Sequence, residues 1–216
     1  MKHILNDQER GQLDRRIVEA EKRTGAQIVL AVVERSDSYA EIPWKAFALA
    51  ASVAGLLSFF QATLRPEWFA HTEVSRALAT TLAAGAVCAL MTVCLPWFAR
   101  FFLNAHRKER ETRQHAESLF LSHQLFATRK RSGILLLVSL FERQVIILPD
   151  TGISTRLSRE AMQDIISLMT PSLASGSVTR ALEEGLAKLE EILAATATGE
   201  AGENELPDEI IEEKRS

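Results

Sequence analysis

Asp150 is the side chain best placed to do chemistry in this 216-residue sequence. It follows the apolar run Gly133–Leu148 and opens the turn Asp150-Thr151-Gly152. Read as two strands joined by a tight turn near Phe141–Arg143, that run returns the chain to its start. An earlier strand parallel to the first of the two then gathers Gly25, Gln27, Arg131, Gly133 and Asp150 at one end of a sheet. Oxygen ligands from Asp150, Gln27 and nearby carbonyls suit calcium better than zinc. The structural alternative has Asp150 capping its own turn and pairing with Arg131, the more frequent fate of a single carboxylate so placed.

Other constellations are missing from the sequence. His3, His71, His106, His115 and His123 form no H-E-x-x-H pattern, and His115 and His123 read as solvated positions on one helix. There is no G-x-S-x-G elbow, no phosphate-binding glycine loop and no dinucleotide fingerprint. A phosphatase requires an activated nucleophile or paired metals. Neither is legible, so no catalytic residue is assigned. Cys88 and Cys94 stand six apart on a predicted helix, roughly 9 Å along its axis, too far for a disulfide. They read as small apolar residues. A net charge of −3 argues against a nucleic-acid partner.

The elements that must position Asp150 read as α/β. Asn6 and Glu9 form a capping-box start to a helix that runs to about Arg23, with Leu13, Ile17 and Ala20 on one face and Gly25 beyond its end. Residues 26–34, AQIVLAVVE, are a buried strand. Arg35-Ser36-Asp37-Ser38 is its polar exit, with Glu34 and Asp37 solvated. Asn104 to about Ala127 reads as a helix, drawn as a direct continuation of the preceding apolar run. After the two strands, Ser158 caps a helix over Arg159–Met169, stopped by Pro171. A last helix from near Ser177 carries the stripe Val178, Leu182, Leu186, Leu189 and Leu193. The expected result is a three-layer α/β/α sandwich around a small mixed sheet of three or four strands.

Between these parts lies a segment of different composition. Ala46–Leu64 and Ala77–Ala99 contain no ionised side chain. As helices they reach roughly 28 and 34 Å, against about 30 Å of bilayer hydrocarbon. Trp44, Trp68 and Trp97 sit at their edges. The domain is therefore expected in pieces. Residues 1–43 supply the first helix and strand, 44–103 a transmembrane hairpin with a short loop at 65–76, 104–195 the remainder, and 196–216 an acidic, mobile tail whose ELPDEII stretch could dock. The N-terminal segment has no apolar stretch of a signal peptide. The basic count favours the flanks of the hairpin over its loop, which places both soluble parts in the cytoplasm of a cell with the hairpin in its inner membrane. Arg107, Lys108, Arg110 and Arg113 would then face anionic lipid.

Four stretches resemble the TPM-domain family in its bacterial membrane-anchored form. They are Arg23-Thr24-Gly25-Ala26-Gln27-Ile28-Val29, then Ala116-Glu117-Ser118-Leu119-Phe120, then the long block from Thr128 through Asp150-Thr151-Gly152-Ile153, and Asn204-Glu205-Leu206-Pro207-Asp208. The resemblance implies an α/β/α sandwich. It also implies an activity the family has not settled: a plant thylakoid relative is described as an acid phosphatase, and some relatives bind calcium. Gln27 stands where the family often has an acidic residue, and Met162-Gln163 where it often has tryptophan. The expected role is a protein-interaction or assembly module at the membrane, with a membrane-protein partner. The alternative is a calcium- or magnesium-dependent acid phosphatase-like enzyme.

Overall fold

The computed structural model describes residues 4–64, 71–195 and 210–213. The chain divides into two compact units, one from Met1–Asp37 with Lys108–Ser216 and one from Ser38–Arg107.

The first is the α/β unit. Helix α1 (Asp7–Thr24) starts at Asn6, whose side chain accepts the Gln8 N–H while the Glu9 carboxylate accepts the Asn6 N–H at 2.7 Å. Gly25, at φ 67°, takes the left-handed position and donates its N–H to the Glu21 carbonyl. The Asn6 N–H, and after it the Thr179 hydroxyl, hold the Glu9 carboxyl below the ordinary carboxylate range. A lowered folded value means that this stability is present above the unfolded pKa and is lost as pH falls through the folded value. Glu9→Gln is therefore expected to flatten the acid limb of the unfolding curve below about pH 4 while changing little at pH 7 beyond a few tenths of a kcal/mol. Thermal melts over pH 2–7 check this.

Strands β1 (Gln27–Val33), β2 (Gly133–Ser139), β3 (Gln144–Pro149) and β4 (Ile211–Glu213) lie in the order β3-β2-β1-β4. β1 runs parallel to β2, from Gln27 opposite Gly133 to Val33 opposite Ser139. β3 returns antiparallel, and β4 adds parallel to β1. Alternation along β1 and β2 explains their continuous apolar character. Ile28, Leu30, Val32, Ile134, Leu136 and Val138 share a core with Leu13 and Ile17 of α1, Ile165 and Met169 of α7 (Arg159–Ala174), and Leu182, Leu186 and Leu189 of α8 (Val178–Ala195). Val29, Ala31, Val33, Leu135 and Leu137 share a second core with Ala116 and Leu119 of α5 (Ala105–Ser122). The sandwich has its two helical layers, as expected.

Four sequence expectations change, the last of them in the helical unit. Pro171 does not stop α7, which runs on to Ala174. The proline forfeits one backbone bond in the final turn, while Met169 and Ser172 stay buried around it. Met169 fills the space above Gly185, where a Cβ would lie 2.5 Å from its sulfur. The helix expected over 104–127 ends at Ser122, and Leu125–Ala127 form a 3-10 turn. It also does not extend the apolar run unbroken, because Leu103 is extended and Asn104 accepts the His106 N–H.

The second unit is helical. α2 (Glu41–Leu64) and α3 (His71–Cys94) pack against each other. A Cβ on Gly85 would lie 2.7 Å from the Phe47 ring, and one on Gly55 4.0 Å from Thr81, an antiparallel pairing. The second apolar run is not one helix to Ala99. α3 ends at Cys94, and Pro96 opens the short α4 (Pro96–Ala99), because proline has no N–H to continue α3. Both α2 and α3 are long and apolar enough to cross a membrane. Their large apolar side chains, including Leu56, Phe59, Leu82 and Leu90, are exposed. Trp44 and Trp97 are exposed too; Trp68 lies outside the described residues. Cys88 and Cys94 are free thiols.

Candidate functional site

The structure brings the predicted sheet-end residues together. Gln27 faces Gly133 in the β1–β2 register, and the Gln27 N–H donates to the Ser132 carbonyl. The Asp150 N–H donates to the Gly133 carbonyl at 2.8 Å. Arg131 adopts φ 52°, and its carbonyl accepts the Gly152 N–H. Gly152 is required by close approach: a Cβ there would stand 2.1 Å from the Lys130 carbonyl oxygen.

The Asp150 carboxylate is 5% exposed and already engaged. As N-cap of α6 (Thr151–Ser154), its Oδ1 accepts the Thr151 N–H at 2.7 Å. Its Oδ2 lies 3.0 Å from Arg131 Nε, close enough for an ion pair but not aligned for a hydrogen bond. The residues present do not fit a calcium site. Calcium takes six to eight oxygens, whereas a guanidinium stands where the cation would sit. No group of three or more His, Cys, Asp or Glu side chains suited to a metal occurs among the described residues.

Of the basic flank, Arg107 lies 2.6 Å from Glu41, and Arg113 donates to Glu117. Arg110 is exposed and Lys108 half-buried.

The opposite end of the sheet holds a polar cluster that the sequence did not reveal. Glu142, 2% exposed, accepts the Ser36 N–H at 2.9 Å and the Ser139 hydroxyl, while the Ser36 hydroxyl donates to Ser139 Oγ. Ser36, expected in a polar exit, is buried. Arg35 stacks on the Phe141 ring at 4.0 Å. Arg156 was missed as well: its guanidinium donates to the Thr24 and Leu193 carbonyls, tying together the ends of α1 and α8. A charged residue in a turn is usually solvated, so no sequence signal marked either.

His115 differs from its solvated reading. Its side chain is 15% exposed, and Nε2 lies 3.0 Å from the Glu213 carboxylate of β4. The tail therefore docks through Ile210–Glu213, with Ile210 in the core. The rest of the expected mobile tail, 196–209 and 214–216, lies outside the described residues.

Residues 101–192 match the family model described as the TPM domain. That stretch contains α5, β2, β3, α6 and α7 with most of α8, and thus Arg131, Asp150 and Gly152. No curated protein matches the sequence. Among solved structures, the fold is similar to the NMR structure of the BA42 protein from the psychrophilic bacterium Bizionia argentinensis, with a TM-score of 0.60. The match covers 99% of this chain and 98% of that one at 14% identity, a likeness of fold. The domain match and the sandwich agree: residues 101–192 of this chain carry a TPM domain.

Proposed function

We propose that this TPM-domain protein is held in a bacterial inner membrane by α2 and α3 and that its α/β unit is a protein-interaction module at the cytoplasmic surface. The exposed apolar side chains of both helices support the anchor, since a soluble protein buries helices of this composition. The basic flank, Arg107 and Lys108 with Arg110 and Arg113, supports cytoplasmic soluble parts. The observation that carries the interaction reading is the engaged state of Asp150. Its carboxylate closes a turn and faces Arg131, so it serves the fold.

The rival enzyme reading takes support from the buried Asp150 Oδ2, which makes no hydrogen bond. Full-length protein in mild detergent separates the two. Cross-linking is expected to trap a specific membrane-protein partner. Hydrolysis of p-nitrophenyl phosphate, with and without calcium or magnesium, is expected to show no component that Asp150→Asn removes; such a component overturns the reading. For sidedness, a thiol reagent confined to the outside is expected to label Ala70→Cys and to spare Arg180→Cys in a chain lacking Cys88 and Cys94.

A further inference from the structure

We propose that the β1 edge is a docking groove for an extended segment of a partner polypeptide. The segment it fits has two adjacent branched apolar residues followed by two acidic ones. Residues 210–213 of this chain are a displaceable occupant of that groove. The inference rests on the interaction-module reading and names its surface.

The edge is divided. Near its start, the Ile28 N–H is taken by the buried Glu21 carboxylate at 2.7 Å, so no strand is needed there. From Ala31 onward the edge is filled by β4, with Ala31, Val32 and Val33 opposite Ile211, Glu212 and Glu213. The Glu34 N–H donates to the Glu213 carbonyl. Backbone pairing of this kind is indifferent to sequence, and side-chain pockets confer the selectivity. Ile210 enters one core, and Ile211 packs against the other. Glu212 accepts the Ile4 N–H and Arg10 Nη2, each at 2.9 Å, and Glu213 meets His115. The groove thus offers two apolar contacts, then a guanidinium and an imidazole. The Arg10 guanidinium is complementary in charge to an acidic segment.

Among the described residues, the occupant pairs with β1 through three positions. Fourteen residues, 196–209, connect it to α8. Covalent attachment makes its pairing intramolecular and raises its effective concentration over that of a free segment. A free segment competes with that and binds with an affinity reduced by the closed fraction.

The test uses the full chain in mild detergent, with a protease site placed within 196–209 and cut after folding. A labelled peptide of sequence PDEIIEEKRS is then added. Saturable exchange into the cut chain is expected, with binding to the uncut chain weaker by about tenfold or more. Arg10→Glu is expected to abolish binding of this peptide. A peptide carrying Glu212→Arg is expected to restore it, which also shows that the variant is folded. Absence of exchange, or exchange indifferent to Arg10→Glu, overturns the groove. A dimer of uncut chains built by swapped C-terminal strands overturns the assignment to a different polypeptide. Failed exchange beside an intact cross-linked partner removes the groove and leaves the interaction module. Exchange without any cross-linked partner removes the module instead.

Discussion

Glu142→Ala is expected to destabilise the α/β unit by about 3 kcal/mol. The carboxylate is buried and receives the Ser36 N–H and the Ser139 hydroxyl, with the Ser36 hydroxyl behind them. Removing it strands buried donors whose desolvation costs about 1–3 kcal/mol each. These contacts also join the exit of β1 to the β2–β3 turn, where the Leu140 and Phe141 N–H groups donate to the Val33 and Glu34 carbonyls. Glu142→Gln keeps one acceptor oxygen and is expected to cost about half as much. Urea denaturation combined with hydrogen exchange of β1 and β2 amides reads the effect. Loss of protection should spread from the Ser36 end of the sheet. Stability unchanged within about 0.5 kcal/mol in the alanine variant removes the structural role.

The second large effect concerns α2 and α3. Val53→Arg and Val87→Arg, each near the middle of its apolar run, are expected to cost about 3 kcal/mol apiece for membrane insertion. The double variant should leave the alkaline-carbonate-resistant membrane fraction. Both valines are more than half exposed in the isolated chain. If water surrounded these helices, arginine there would be nearly neutral. The two environments therefore predict opposite results at the same positions, and Val53→Leu should change nothing. Retention of the double variant in the membrane fraction counts against the hairpin.

Much of the fold was legible because its signals are local. Asn6 and Glu9 mark a capping box, the run after Gly25 marks a doubly buried strand, and the Leu182–Leu193 stripe marks the face of α8. Pro171 misled because proline is costly in mid-helix but tolerable in a last turn. β4 was only half legible. Two isoleucines among acidic residues look solvated unless a basic rim, Arg10 and His115, waits far away in the sequence. The sheet-end cluster around Asp150 followed from strand directions alone. Glu21, Glu142 and Arg156 did not, because a buried polar group is defined by its partners, and these lie up to 132 positions away.

β1 draws its neighbours from far along the sequence: β2 begins at Gly133 and β4 at Ile211. A ribosome therefore releases β1, then both apolar helices, before either neighbour exists. At about 5–20 residues per second, the wait from Val33 to Gly133 lasts on the order of 5–20 s. During that interval β1 is an apolar ribbon open on both edges, a template for mispairing. Chaperone demand during translation should fall on this strand, and transplanting α2 and α3 to a chain terminus should shorten its exposure.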